Sequence, residues 1–239
     1  MRKPADYANA IWHITQRVNW RIWHLHPEFA YRIVIEAIAF AARRFGVDVI
    51  AYVVMSNHIH LVVQSPEPSQ FRAHTTRLTN CRHRYRYPRG HCKHNVVGQF
   101  VRSYSLYVAH KVQTELELEG HFWCGAHDRR LVRTARHLVA VIAYDHRNPV
   151  KAGMVQRAEE YARSSAAWWS TSAPSDIPLL RRSLDRFGLS REALRRHVVQ
   201  NHGNTRLDDA MVRFAKTRLR LDSTKGSRRL DELLTSAGL

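Results

Sequence analysis

Ile50-Ala-Tyr-Val-Val-Met-Ser-Asn-His58-Ile-His60-Leu-Val-Val63 is an apolar run broken by a two-residue turn signal and by two histidines one residue apart. Successive side chains of a β-strand face opposite ways, so His58 and His60 share one face while Ile59 points into the core. Asp48 to Ala51 begins one strand, Ser56-Asn57 make a turn, and His58 to Gln64 is a strand pairing back. Two imidazoles side by side on a rigid strand supply most of a divalent-metal site. The chain has 16 histidines and a second His-x-His, His24-Leu25-His26, ahead of Pro27 in a loop. The strand context separates His58 and His60 from that pair.

Outward from this hairpin, Ile11 to Asn19 alternates well enough for a first strand. Pro27 to Phe45 reads as a helix with Phe29, Ile33, Ala37 and Phe40 as its buried side, Pro27 near its start and Gly46 as its stop. Val97 to Leu118 is a long helix. From Arg133, Ala135, Leu138 and Ile142 recur at helical spacing; Tyr144 sits off that stripe and Asn148 lies one turn further along the same side. Pro149 biases Asn148 away from helical geometry and ends the helix there. Strand, helix, hairpin and later helices predict an α+β fold: an antiparallel sheet with helices on one face.

Two stretches break the pattern. Residues 65–95 open on Ser65-Pro-Glu-Pro-Ser and are crowded with Arg, His and Tyr, an insertion whose Cys81, His83, His91, Cys92 and His94 match no common zinc-finger spacing. Tyr85 and Tyr87 among Arg82, Arg84, Arg86 and Arg89 also suit an arm laid on nucleic acid, since stacking and phosphate neutralisation need those types interleaved. Beyond Ser170 a linker leads into a basic helical C-terminal region, 171–239. There Leu179–Gly188 and Ser190–Val199 read as two short amphipathic helices, the second capped by Ser190, with Gly188 in a helix-turn-helix-like turn.

Composition sets the class. At 44% hydrophobic and 24% charged the 239-residue chain is globular. A net charge of +18 favours a polyanionic partner, nucleic acid first. No apolar run is long enough to span a membrane, and the start lacks a signal-peptide core, so a cytoplasmic location and no membrane partner are expected. The three cysteines, Cys81, Cys92 and Cys124, fit reduced thiols.

Taken together, Tyr52-Val-Val-Met-Ser-Asn-His-Ile-His-Leu-Val-Val, Tyr144-Asp-His-Arg-Asn-Pro-Val-Lys-Ala-Gly-Met-Val and Glu159-Glu-Tyr-Ala-Arg-Ser-Ser-Ala resemble the REP-associated tyrosine transposases, HUH enzymes with a single catalytic tyrosine. Gly120-His-Phe-Trp-Cys-Gly125 is similar to the family's glycine-flanked aromatic segment, and the resemblance spans about residues 10 to 167 within a transposase domain of 1–170. Where the family often has an arginine after Gly125 this chain has Ala126, and Ser56 stands for the usual proline before Asn-His.

The resemblance implies a ferredoxin-like fold with metal histidines on a central strand and the tyrosine on a helix beside it. It implies a Mg2+ or Mn2+ ion held by His58, His60 and Asn148. Tyr144 would attack a phosphodiester, leaving a 5′-phosphotyrosine and a free 3′-hydroxyl. The implied partner is single-stranded or hairpin DNA such as a repetitive extragenic palindrome, bound by a monomer or homodimer, nucleoid-associated. Arg17, Asn19, Arg129, Arg130 and Lys151 are candidate DNA contacts. Asp145 and His146 adjoin the tyrosine but are expected to point elsewhere on the helix, so the sequence names no general base. Two other readings are a domesticated, non-catalytic hairpin-binding protein, for DNA or RNA, and a histidine-metal hydrolase of small phosphate esters; the charge of +18 speaks against the last.

Overall fold

The structure, a computed structural model, describes residues 8–67, 96–180, 184, 187–188, 190–216 and 224–239. The cysteine- and histidine-rich part of the insertion, its interleaved arginines and tyrosines, and half of the first of the two short C-terminal helices lie outside the described residues.

The hairpin forms where the turn signal places it. Strand β2 (Asp48–Met55) turns through Ser56-Asn57 into β3 (His58–Gln64), and the two pair with Met55 opposite His58 and Val53 opposite His60. β1 (Ile11–Arg17) pairs antiparallel with β3, Thr15 opposite His60 and Arg17 opposite His58. On its other side β1 pairs with β4 (Asp128–Val132), a short polar strand that the sequence pattern did not announce. The sheet order is β2-β3-β1-β4. With helix α1 (Glu28–Phe45) after β1 and α2 (Val96–Glu115) after β3, this is the expected ferredoxin-like βαββαβ arrangement.

Helix α1 starts after Pro27 and ends at Gly46, whose left-handed φ of 63° closes the helix C-terminus. Its buried stripe is Ala30, Val34, Ala37, Ile38 and Ala41, rotated from the expected one: Phe40 is 54% exposed and Phe29 also faces solvent. The reason is steric. α1 packs along α2, and a stripe rich in alanine lets two helices approach more closely than phenylalanines would allow. α2 buries Val97, Phe100, Val101, Tyr104 and Val108, and its Ser105 Oγ donates to Gln16 Oε1 at 2.8 Å.

Period-two alternation puts Gln16 and His13 on opposite faces of β1. α1 and α2 therefore lie on the Gln16 face, while the helix after β4, α3 (Ala135–His146), packs on the face that carries His13 and His60. Helices on one face describe the βαββαβ unit alone; the whole molecule is three layers with the sheet in the middle. α3 is capped by Thr134, whose side chain accepts from His137 N at 3.1 Å. It is buried almost all round because the sheet lies on one side and the C-terminal helices on the other. These are α6 (Arg191–Gln200), α7 (Thr205–Lys216) and α8 (Thr224–Ser236), reached through α4 (Asn148–Lys151) and α5 (Ala166–Thr171). Ser190 caps α6 as read from the sequence, accepting from Ala193 N at 3.1 Å. The chain between α4 and α6 covers the outer edge of β2: Arg163 O accepts from Val54 N, Ser165 N donates to Tyr52 O, and Leu180 N donates to Val49 O. Among the described residues no helix is long and apolar enough to cross a membrane.

A buried polar joint fastens α3 to the C-terminal region. His146 Nδ1 lies 2.9 Å from His202 Nε2, and His146 Nε2 lies 2.8 Å from Ser165 Oγ. Burial keeps both imidazoles neutral, pushing His202 down to about 4 and His146 well below the ordinary value. In the unfolded chain both titrate near ~6.5, so below that pH the unfolded state binds more protons. Their contribution is complete above about pH 6.5 and is lost as pH falls toward about 4. Thermal melting should show a lower midpoint at pH 5 than at pH 7, and His202→Gln should reduce that difference.

Candidate active site

The three-strand register arranges the polar face of the sheet in rows. Arg130 of β4 stands opposite His13 of β1, Asp128 opposite Thr15, Thr15 opposite His60 of β3, and Arg17 opposite His58. Against this face α3 brings Asp145, which is 1% exposed. Its Oδ1 lies 3.2 Å from His13 Nε2 and 3.1 Å from His60 Nδ1, and the two ring nitrogens are 3.4 Å apart. Thr15 Oγ1 is 3.3 Å from the same nitrogen of His60. The two rings are stacked, with an interplanar angle of 11°.

Asp145 is an unusual carboxylate. Burial alone would push its carboxyl up; the imidazoles of His13 and His60 outweigh burial and hold it well below the usual carboxylate range. Its Oδ1 stands at hydrogen-bond distance from two ring nitrogens, yet neither carboxylate oxygen makes an aligned hydrogen bond. Donor atoms that share one cation at about 2.1 Å sit roughly 3.0–3.4 Å apart. The three separations here fall in that range, and two imidazole nitrogens with one carboxylate oxygen are a normal ligand set for a divalent transition ion. The triplet fits a metal.

This triplet shares only His60 with the set expected from the sequence. His58 is beside it, its ring edge-on to His60 at 4.9 Å, but its Nδ1 pairs with Asn57 Oδ1 at 2.7 Å. Burial, then the neighbouring His60 and Arg17, push His58 down to about 3, so its ring is neutral. The Asn148 amide nitrogen is buried without a hydrogen-bond partner, and neither His58 nor Asn148 lines the cleft described next. Asp145 corrects the expectation that it turns away from the site; His146 does turn away, into the joint with His202. His13 was legible as one of the alternating polar residues His13, Thr15 and Arg17, but that signal alone names no ligand.

An open cleft of about 240 Å3 lies over the polar face, and Tyr144 forms its wall together with His13, His60, Arg17 and Arg130. The tyrosine and the two imidazoles of the triplet thus share one cleft within one chain. Burial raises the Tyr144 phenol, as do the Asp145 and Asp208 carboxylates, while Arg17 and Arg130 pull it back down. Lys151 Nζ sits 3.7 Å from the centre of its ring. Asp208 of α7 anchors that lysine at 3.5 Å and pairs with the buried Arg147 at 2.8 Å. Met211 and Phe214 of the same helix complete the cleft.

The candidate DNA contacts separate. Arg17 and Arg130 line the cleft, and Lys151 stands behind the tyrosine. Arg129, one residue from Arg130, points to the opposite face, its guanidinium 4.5 Å from the ring of Trp12. Asn19 belongs to a neighbouring groove with Trp20 and Phe122.

No family model matches the sequence, and no curated protein matches it either. Solved structures that resemble the fold include two transposases. One is a REP-associated tyrosine transposase bound to a REP hairpin, 16% identical over 77% of this chain and 94% of that one, with a TM-score of 0.48. The other is a candidate transposase from Deinococcus radiodurans, 16% identical over 55% of this chain and 86% of that one, with a TM-score of 0.35.

A divalent ion held by this triplet would respond to particular variants. In calorimetric titration with Mn2+, Asp145→Asn and His13→Ala should each weaken binding by about tenfold or more. Asn148→Ala should leave the affinity within about twofold.

Proposed function

We propose that this chain is a metal-dependent single-tyrosine DNA transposase, cleaving and rejoining single-stranded or hairpin DNA through a covalent 5′-phosphotyrosine. The observation that carries this reading is the shared cleft: a phenol, two imidazoles and two arginines line one space, with the Asp145 carboxylate held against both imidazoles. In this reading His60 is a ligand as the sequence resemblance implies, while His13 and Asp145 take the places it gives to His58 and Asn148. Imidazole donors favour Mn2+ over Mg2+. The bound ion would act as a Lewis acid on the scissile phosphate.

The chain's own groups account for the remaining steps. Arg17 and Arg130 neutralise the phosphate as charge builds on its oxygens. The Tyr144 oxygen attacks phosphorus and gives its proton to water in the open cleft. The bond to the 3′-oxygen breaks, and that oxygen takes up a proton to become a free hydroxyl. Rejoining reverses the sequence, with a 3′-hydroxyl attacking the phosphotyrosine. The covalent bond conserves the phosphodiester energy, so no nucleotide cofactor is required. Lys151, held by Asp208, fixes the ring and keeps positive charge close to the phosphate path.

Incubating hairpin-bearing single-stranded DNA with the protein and Mn2+ should give a denaturant-resistant protein–DNA adduct. Tyr144→Phe should abolish it, and Arg130→Ala should lower its rate by about tenfold or more. Hairpin binding with no adduct in the unaltered protein would instead support the non-catalytic binder, and phosphate-ester turnover indifferent to Tyr144 would support the hydrolase.

A further inference from the structure

The segment joining β1 to α1 combines a rigid backbone with exposed aromatic side chains. Trp20 is 84% exposed, Trp23 66% and Ile22 47%, all within four residues. Trp20 and Arg21 both adopt left-handed backbone, at φ 53° and φ 58°, a conformation that non-glycine residues rarely adopt and that surrounding structure must enforce. The enforcing contacts are present. Val18 N donates to Asn57 O at 2.8 Å, Leu25 N to Ser56 O at 2.9 Å, and Asn57 Nδ2 to Arg21 O at 2.9 Å. Asn19 N donates to Phe122 O at 2.8 Å, and the Arg163 guanidinium donates to the carbonyls of Leu25 and His26. Indoles held out by so many bonds are presented to solvent by the fold itself.

Their position relates them to the cleft. Asn57, which holds the Arg21 carbonyl, also bonds His58 through its Oδ1. Arg17, lining the cleft, is three residues before Trp20, and Arg21 is exposed beside it. Trp20 forms one side of a groove of about 310 Å3 whose walls include Asn19, His24, Glu119, His121 and Phe122. Those walls offer both donors and acceptors to the edge of a base.

From this we infer that Trp20 and Trp23 form a stacking platform for unpaired bases of single-stranded DNA leading into the cleft. A flat π-surface flanked by arginines is the combination that unpaired nucleotides recognise: stacking takes any base, and the guanidinium groups take the phosphates. The +18 net charge favours a polyanion. Duplex DNA does not fit, because its bases are already stacked on one another. The site is separate from strand cleavage and does not depend on the tyrosine chemistry.

The test uses the full chain carrying Tyr144→Phe, without added metal, so that covalent capture cannot contribute. Fluorescence anisotropy with a short labelled oligothymidylate should show binding weakened about tenfold by Trp20→Ala and several-fold by Trp23→Ala. Trp20→Phe should restore most of the affinity, and the dependence on salt should be unchanged by Trp20→Ala because no charge is removed. Arg21→Ala should instead lower the salt slope. Unchanged melting temperatures would show that the variants fold, as expected for exposed side chains. Affinity within about twofold of the parent in both tryptophan-to-alanine variants would overturn the inference. So would loss of a protein dimer in Trp20→Ala with DNA affinity intact, since the platform would then serve a second copy of the chain. Failure of the adduct assay leaves this binding result standing, and the reverse also holds.

Discussion

The contact between Asp145 and the two imidazoles decides where α3 can sit. A carboxylate this deeply buried is costly unless cations or protonated partners compensate it, by several kcal/mol in typical cases. Its partners come from neighbouring strands, His13 on β1 and His60 on β3, which the register places on one face. Sliding α3 by one turn would move the carboxylate by about 5.4 Å and strand it in the apolar layer. Because Tyr144 precedes Asp145 in the same helix, the contact that sets the helix also sets the phenol in the cleft wall. Structure and chemistry are joined at adjacent residues.

The C-terminal helices serve the same arrangement from the other side. The hydrophobic core is continuous from Trp12 and Ile14 of the sheet through Leu138 and Ile142 of α3 to Leu194, Leu207 and Leu234. Asp208 reaches from α7 to Arg147 and Lys151, so the basic residues following the tyrosine are fixed by a carboxylate some sixty residues later. Met211 and Phe214 give the cleft an apolar flank beside its polar floor.

Local pattern made much of the fold legible. The hairpin at Ser56-Asn57, the stop at Gly46 and the cap at Ser190 each depend on a few neighbouring residues, and all three appear where the sequence places them. β4 escaped because Asp128-Arg-Arg-Leu-Val132 carries no alternating apolar signal; its partner β1 makes it a strand. The α1 stripe was misread by favouring large apolar residues, whereas the buried side of the helix is rich in alanine. The site shows the same division. Tyr144 and His60 lie in motifs and share the cleft, but the association of His13 with Asp145 spans more than a hundred residues and is created by strand register and helix placement. A helical wheel drawn on α3 alone sets Asp145 about 100° from Tyr144; packing against the sheet turns Asp145 onto the two imidazoles and leaves Tyr144 on the cleft wall.

Among the described residues, Met211 and Phe214 are the farthest along the chain to line the cleft. They lie some seventy residues beyond Tyr144, so that flank exists only once α7 has docked on α3. A variant in which α7 came loose would keep the sheet, both imidazoles and the phenol, yet leave one side of the space bare to water.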